Sequence, residues 1–302
     1  MTTHLSSRLG ALGLLATLVI GACSGGGATT APVAAATANA SAGAAGSAIC
    51  VNGSVTAAGS TALQPLVDAA GKQYTAACPG STIQVQGGGS GTGLTQVLQA
   101  AVQIGDSDVT AESKLKTDEA AQLVNHDVAK QGWVMVTSAD VTGVTNLTSA
   151  QATDVWTGKV TNWKDLGGPD EAIVLILRPE SSGTRATFKK LVLGGAQEAS
   201  GQALTEDSNG AVTQAVKQTP GSTSVIGFAY YQQNRSGLNA LQLDGVDASV
   251  DNMKSGTYML AAVGHMYTKG EADGLTRAFL DYILSPDVQG TLLPSLFYAA
   301  VK

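Results

Sequence analysis

Charged residues are scarce in this chain of 302 residues, of which only 13% are Asp, Glu, Lys or Arg. The formal net charge is −6, and no cluster of basic residues stands out. Proteins that bind nucleic acid concentrate Lys and Arg on one surface, so this composition argues against a nucleic-acid partner. An anionic ligand would have to be captured by local dipoles and one or two arginines, because the protein as a whole does not attract negative charge.

Metal-ligand and cofactor motifs are missing as well. His126 and His265 stand alone in the sequence, and a lone histidine is usually a surface or packed residue, so no metal is predicted. The glycine-rich residues 87–93 lack the Gly-Lys-Ser/Thr ending of a Walker A loop, and glycines alone are weak support for a dinucleotide site. They do not form a nucleophile elbow either, because Thr92 stands where the last glycine should be. No cofactor is predicted.

Residues 1–22 have the features of a bacterial lipoprotein signal peptide. Arg8 precedes a short apolar run, and small residues lead directly to Cys23. The run is too short to span a bilayer comfortably, and the pattern predicts cleavage before Cys23 and lipid attachment to its thiol. An ordinary signal peptide or a transmembrane anchor is the alternative. We expect the protein to be held at the extracytoplasmic face of the bacterial cell membrane through Cys23, its only attachment to the membrane.

The segment after the signal peptide, residues 23–48, consists almost wholly of Ser, Gly, Ala and Thr. Such a composition cannot build a hydrophobic core and predicts a flexible tether. Cys50 and Cys78 are the cysteines that remain. Two leftover cysteines of an exported protein most often pair, which predicts a disulfide, with two buried free thiols as the alternative.

Residues 178–185 form the segment with the strongest chemical signal. They lie between an apolar run at 172–177, which predicts a strand, and a predicted helix at 186–193. Backbone N–H groups at a helix start lack intrahelical partners and carry the positive end of the helix dipole. Two serines, a glycine and an arginine at each flank add to this. A helix cap would account for one hydroxyl only, so the segment predicts a site for a tetrahedral anion.

Two earlier loops have the same arrangement of strand end, hydroxyl and helix start. Thr61 and Ala62 follow a predicted strand and precede a helix, and Ser90 lies at the centre of the glycine-rich turn before a helix predicted at 94–102. A fourth loop ends at Asp108 and is equally well a solvated turn. Alternating strands and helices predict an α/β fold, in which ligands bind outside the carboxyl ends of the strands.

These segments resemble those of the phosphate-binding lipoproteins of high-affinity bacterial phosphate ABC importers. The matching motifs are Gly59-Ser-Thr61, Gln86-x-x-Gly-Ser90, Ser107-Asp108, Asn146-Leu-Thr148, Gly158-Lys-Val-Thr-Asn-Trp163, Arg178-x-x-Ser-Ser-Gly-Thr-Arg185 and Ser285-Pro-Asp-Val-Gln289. Each motif is modest alone, but together and in this order they are specific. The resemblance implies a two-lobed periplasmic-binding-protein fold of type II with the ligand in a cleft between lobes. One lobe would comprise residues 49–131 and 261–302, and the other residues 132–260.

The resemblance also implies the ligand contacts. They fall on Thr61, Ala62, Ser90, Asp108, Arg178, Ser182, Gly183 and Thr184. Three positions depart from the family pattern or add to it. Ala62 stands where some members carry an aromatic residue, Asp106 adds negative charge near the site, and the carboxylate of Glu180 is expected to pair with Arg178.

The function implied by the resemblance is the binding of inorganic phosphate by a monomer that delivers it to an ABC-type permease. Two alternatives stay open. One is a binding protein for another tetrahedral oxyanion, such as sulfate or molybdate. The other is a phosphatase-type enzyme that uses Ser90 or Ser182 as nucleophile; it lacks a base, because His126 and His265 lie outside every candidate loop.

Overall fold

Strands and helices alternate along residues 48–199 and 203–301, the part of the chain that this computed structural model describes. The strands are β1 (Gly53–Gly59), β2 (Ser81–Gln86), β3 (Ile104–Ser107), β4 (Leu123–Ser138), β5 (Asn146–Leu147), β6 (Val174–Leu177), β7 (Leu204–Thr205), β8 (Ser222–Gly227), β9 (Leu238–Leu243) and β10 (Ala261–Lys269). The helices are α1 (Gln64–Ala77), α2 (Ser90–Leu98), α3 (Thr117–Ala120), α4 (Ser149–Trp156), α5 (Gly183–Leu191), α6 (Asn209–Gln218), α7 (Phe228–Asn234), α8 (Val250–Ser255), α9 (Gly274–Ile283) and α10 (Leu293–Ser295). Single turns of 3₁₀-helix cover Ala111–Ser113 and Trp163–Leu166, and a π-helical turn covers Val288–Leu292. The predicted signal peptide, Cys23 and the predicted tether up to residue 47 lie outside the described residues.

The strands are hydrogen-bonded in the order β2-β1-β3-β10-β4-β8-β6-β7, with β9 paired to β4 and β5 beside this path. β1 runs parallel to both β2 and β3, and β6 runs parallel to β7 and β8. β10 is antiparallel to its neighbours β3 and β4, and β4 is antiparallel to β8 and β9. Because β1, β2 and β3 are parallel, the three loops that follow them emerge at one edge of the sheet.

The 16-residue strand β4 joins the two halves of the structure. The first half contains β1, β2, β3, β10, α1, α2 and α9, and the second contains β5 to β9, α4, α5, α6 and α8. Residues 123–132 pair with β10, and residues 133–138 pair with β8 and β9. The sequence predicts a strand only at 131–137. The strand begins earlier because pairing with β10 stabilises residues 123–130, whose polar side chains hide the pattern of a strand.

Each half has its own hydrophobic core, and the α/β architecture with two lobes is confirmed. In the first half, α1 and α9 pack against the sheet around Leu66, Tyr74 and Phe279. In the second half, the core contains Trp133 of β4, Trp163 of the second 3₁₀ turn, and apolar side chains of the strands β6 and β8. Since β4 contributes to both cores, the halves are joined through the sheet as well as through loops.

Two helices begin earlier than the sequence predicts. α2 begins at Ser90 rather than at residue 94, and α5 begins at Gly183 rather than at residue 186. In α5 the side chain of Ser182 caps the helix by accepting a hydrogen bond from the N–H of Arg185 at 3.2 Å. Glycines in both segments suggest a turn in the sequence, but their backbone also permits the first helical turn. The N–H groups of Ser90, Gly183 and Thr184 are consequently at helix starts.

Cys50 and Cys78 form a disulfide, with their Cα atoms 5.2 Å apart, as predicted. The bond ties the start of the described chain to the end of α1. In residues 48–199 and 203–301, none of the helices combines the length and the apolar character that a membrane crossing needs. The same residues contain no group of three or more His, Cys, Asp or Glu side chains placed to hold a metal ion.

Candidate anion-binding site

The loops predicted from the sequence meet at the junction of the two halves. The N–H of Gly91 donates to the carbonyl oxygen of Ser181 at 2.8 Å, which links the start of α2 to the loop before α5. The hydroxyl of Ser90 accepts from the N–H of Asp108 at 2.9 Å. Residues from three separate strand ends therefore share one hydrogen-bond network.

Asp108 lies at the centre of this network and is only 3% exposed. Its Oδ1 accepts from the hydroxyl of Ser60 and, at 2.9 Å, from Nε2 of Gln131. Its Oδ2 accepts from the hydroxyl of Thr184 at 3.3 Å. Burial raises the pKa of the Asp108 carboxyl, while these hydrogen bonds and the charge of Arg178 act in the opposite direction. The solvated-turn alternative for this loop is wrong, because the carboxylate is buried and bonded on both oxygens.

Thr61 and Ala62 lie between β1 and α1 and face the start of α6. The hydroxyl of Thr61 accepts from the backbone N–H of Asn209 at 3.3 Å and from its Nδ2 at 3.2 Å. The N–H of Ala62 donates to the hydroxyl of Ser60 at 3.1 Å, and its carbonyl oxygen accepts from the hydroxyl of Tyr298. The Cβ of Ala62 also lies close to Gly227, so a larger residue here would press against the end of β8.

Arg178 directly follows β6 and is 4% exposed. Its Nε donates to the carbonyl oxygen of Glu206 at 3.0 Å and its Nη2 to that of Asp207 at 2.8 Å. Its Nη1 is buried and has no hydrogen-bond partner among the described residues. Burial lowers the pKa of Arg178 to about 10, so the guanidinium remains charged at neutral pH. It is the buried positive charge of the site, and its Nη1 nitrogen still has N–H donors to be satisfied.

The residues at the start of α5 approach the first half closely. The hydroxyl of Thr184 accepts a hydrogen bond from the indole Nε1 of Trp133 at 3.0 Å and donates one to Asp108. The bond from Trp133 fixes the position of this hydroxyl. A Cβ added at Gly183 would lie 2.0 Å from the hydroxyl oxygen of Ser90 and 2.6 Å from Cβ of Asp108. Only glycine fits at this position while the two halves are in contact.

The predicted pairing of Glu180 with Arg178 is wrong. Glu180 instead contacts Arg185, with 2.9 Å between Oε1 and Nη1. Arg185 also binds Glu198, with 2.5 Å between Nε and Oε2, so it does not serve as a second cation at the anion site. Arg185 lies in the first turn of α5, but its side chain is held by the carboxylates of Glu180 and Glu198 and by the carbonyl oxygen of Arg178, to which Nη1 donates at 2.9 Å.

Asp106 is buried beside the site, at 1% exposure, and neither carboxyl oxygen has a hydrogen-bond partner in the described part of the chain. Burial, followed by the charges of Asp108 and Asp68, raises its pKa well above the ordinary value. A carboxyl in this environment holds its proton more tightly. Asp106 therefore contributes less negative charge near the site than its sequence position suggests.

Several residues of the network were missed in the sequence. Gln131 and Trp133 come from β4 and bond to Asp108 and Thr184, while Asn209 begins α6 and bonds to Thr61. Gln131 does carry a signal, since an uncharged polar residue inside an apolar strand needs a buried partner. The signal at Asn209 is weaker. Ser208 before it is an ordinary helix cap, which accepts a hydrogen bond from the N–H of Ala211, so polar residues at this position do not by themselves indicate a site.

The arrangement has the chemistry of an oxyanion site. Four helices, α1, α2, α5 and α6, begin at the junction, so the positive ends of their dipoles lie there. Arg178 supplies a buried cation, and Asp108 supplies the acceptor. His126 bonds to Thr268 and His265 to Asp127, so neither ring serves the junction as a base.

The model of the PBP superfamily domain matches residues 29–287 of this chain. The phosphate-binding protein PstS of Bacillus subtilis is 45% identical over 250 residues, which cover 83% of this chain and 81% of that protein. PstS of Borreliella burgdorferi is 25% identical over 240 residues, covering 76% of this chain and 84% of the relative.

Solved structures give the same result for the fold. A protein from Clostridium perfringens, assigned as a phosphate ABC transporter substrate-binding protein and solved with bound phosphate, has a TM-score of 0.75 and 28% identity, covering 83% of this chain and 100% of that one. An ABC-type phosphate transport receptor from Vibrio cholerae has a TM-score of 0.63 and 26% identity, covering 82% and 100%. This chain belongs to the PstS family of phosphate-binding proteins, within the PBP superfamily.

Proposed function

We propose that this protein binds inorganic phosphate outside the cytoplasm and delivers it to an ABC-type permease. The observation that carries the proposal is the convergence of four helix starts, one buried arginine and one buried carboxylate where the two halves meet. Its relatives named for phosphate binding support the choice of ligand. The proposed phosphate contacts are Thr61, Ala62, Ser90, Asp108, Arg178, Ser182, Gly183 and Thr184.

Release and capture would use a hinge between the halves. We place one lobe at residues 49–131 and 261–302 and the other at residues 132–260. In support, β4 changes its partners at residues 132–133, and β10 begins at Ala261 opposite Gly132. The hinge would then lie where both strands pass from one core to the other.

Asp108 explains why phosphate would be preferred over sulfate. An ionised carboxylate can only accept hydrogen bonds, and phosphate retains a P–OH at neutral pH whereas sulfate has no proton to donate. Sulfate would bring its negative charge against a buried carboxylate to which it can donate no hydrogen bond. A site built to pair with a ligand OH can reject an analogue that lacks it by about 10⁴–10⁵.

Replacing Asp108 with Asn tests this explanation. Asparagine keeps an oxygen for Ser60 and Gln131 and offers an NH₂ to a sulfate oxygen. We expect Asp108→Asn to retain phosphate binding and to narrow the phosphate-to-sulfate ratio of dissociation constants by at least about tenfold, or 1.4 kcal/mol. Because burial raises the pKa of Asp108, sulfate should bind the wild type better as pH falls, and this dependence should weaken in the variant. An unchanged ratio would remove Asp108 from the selectivity mechanism.

Calorimetry of the mature protein with phosphate, sulfate and molybdate tests the function itself. We expect phosphate to bind most tightly, and tighter binding of another oxyanion would replace phosphate as the ligand. An enzyme of the phosphatase type would turn over a chromogenic phosphate ester. We expect no turnover, because His126 and His265 are bonded elsewhere and neither is placed to activate Ser90 or Ser182.

We also propose that Cys23 carries a lipid and holds a monomeric protein at the extracytoplasmic membrane face. The sequence around Cys23 is the support. Cells supplied with a radioactive fatty acid should label the wild type, and Cys23→Ala should lose both the label and the membrane association. A variant that keeps both would place the attachment elsewhere.

A further inference from the structure

Lys114 reaches across the junction between the halves. It follows the 3₁₀ turn Ala111–Ser113 of the first half, and its Nζ donates to the carbonyl oxygen of Glu180 at 2.6 Å. A second, longer contact of 3.4 Å goes to the carbonyl oxygen of Ser182. Both carbonyls belong to the loop that leads into α5, so a side chain of one half holds the anion loop of the other.

Lys114 lies among other positively charged side chains, which disfavour its own charge. Lys114 lines a cavity of about 470 Å³ together with three other cations, Arg185, Lys189 and Lys190, and one carboxylate, Glu180. Glu180 is already paired with Arg185, and its side chain is 82% exposed. Burial, opposed by Glu180 and reinforced by Arg185, lowers the pKa of Lys114. The ammonium group is therefore directed to backbone carbonyls rather than to a carboxylate of its own.

The geometry of the peptide group links these carbonyls to the ligand. In a trans peptide, the C=O of one residue and the N–H of the next point in opposite directions. A donor outside the loop that holds the C=O of Ser182 therefore directs the N–H of Gly183, one of the proposed phosphate contacts, away from Lys114. A charged donor on the oxygen also polarises the peptide and strengthens its N–H as a donor.

We propose that Lys114 is a positioning residue for anion binding: it joins the two halves and orients the loop before α5 without touching the ligand. This inference rests on the proposed function. Its contacts form only when the halves meet, so Lys114 stabilises the conformation in which the site is complete. Because apparent affinity scales with the population of the competent conformation, losing this contact weakens binding even though the ligand contacts are intact.

The test replaces Lys114 with Met, which keeps the length of the side chain and removes its charge. The matched control is Lys116→Met, which makes the same charge change at an exposed lysine two residues away. In the mature protein at about 0.15 M salt, where long-range charge effects are screened, we expect Lys114→Met to raise the phosphate dissociation constant about tenfold. Stopped-flow measurements should place most of the change in the dissociation rate. Lys116→Met should bind like the wild type, and Lys114→Arg should recover most of the loss.

Two further readouts separate positioning from other roles. The phosphate-to-sulfate ratio should stay constant in Lys114→Met, because the lost contact does not distinguish the anions, and the melting temperature without phosphate should not change. Wild-type affinity in Lys114→Met, a changed anion ratio, or a loss of stability without ligand would each overturn the inference. A wild type that does not bind phosphate would instead refute the proposed function.

Discussion

Gly183→Ala offers a direct test of the junction, because one methyl group is enough to disturb it. In this structure the added Cβ would lie 2.0 Å from the hydroxyl oxygen of Ser90, 2.6 Å from Cβ of Asp108 and 2.8 Å from its Oδ2. These atoms belong to the first half, whereas Gly183 begins α5 in the second. The simplest relief is a separation of the halves, so the substitution should oppose closure and leave each core intact.

The size of the effect follows from the overlap. Ordinary van der Waals contacts of carbon begin at about 3.5 Å, so the methyl group overlaps its three neighbours by about 0.7 to 1.5 Å. Inserting a methylene into a packed site costs about 1–3 kcal/mol, which corresponds to a loss of phosphate affinity between about fivefold and 150-fold. Because alanine favours helices over glycine by about 1 kcal/mol in a helix interior, the stability without ligand should be unchanged or higher.

Titration calorimetry and thermal unfolding of the same preparations measure both quantities. The control is Gly290→Ala, where no atom lies within 4 Å of the added Cβ, and it should bind like the wild type. Wild-type affinity in Gly183→Ala would mean that the halves do not close onto Gly183 when phosphate binds. Lower stability without phosphate would mean that the methyl group damages the fold of a lobe instead of opposing closure.

The remaining predictions concern the two buried charged groups beside the ligand. Arg178→Ala should weaken phosphate binding by at least about tenfold, because a hydrogen bond to a charged group contributes about 1.5–3 kcal/mol. Calorimetry measures the affinity, with the exposed Arg235→Ala as control. Equal affinities in the two variants would contradict the role of Arg178 as a phosphate contact. Asp106→Asn should stabilise the protein at pH 7, by about 1 kcal/mol or more. Its raised folded pKa makes the wild type lose stability as pH rises above the ordinary value of 3.8. The difference in unfolding free energy between Asp106→Asn and the wild type, measured by chemical denaturation, should therefore disappear near pH 4. A difference that persists at pH 4 would show that the charge of Asp106 is not its cause.

The loops of the site could be predicted because each is local in the sequence. A strand, a short turn with a hydroxyl and a helix start occur within a dozen residues, and the parallel order of β1, β2 and β3 brings their loops together. The pattern therefore pointed to the loops of Thr61 and Ser90 and to Arg178 at a strand end, whereas it left the loop of Asp108 equally well a solvated turn, and the family resemblance selected the individual contacts. The family resemblance supplied the identity of the ligand.

The partners of these residues could not be predicted, because they come from distant parts of the chain. Gln131 reaches Asp108 from β4, and Asn209 reaches Thr61 across the junction, so both depend on how the halves meet. The pairing of Glu180 was predicted wrongly because two arginines are near in sequence, and the fold directs Arg178 to the carbonyl oxygens of Glu206 and Asp207 and leaves Arg185 for Glu180. The length of β4 was underestimated because its first residues form a strand only when β10 pairs with them.

The position of β10 has a consequence for how the chain folds. β10 (Ala261–Lys269) lies between β3 and β4 in the sheet, although it is the last of the described strands along the chain. The first half therefore lacks a central strand until most of the chain has emerged, whereas β5 to β9 of the second half are all available earlier. Contacts between distant residues form slowly because a long loop must first be closed. We expect the second half to fold first during export and the first half to be completed last, with β3 and β4 open to chaperones or to wrong pairing during the delay.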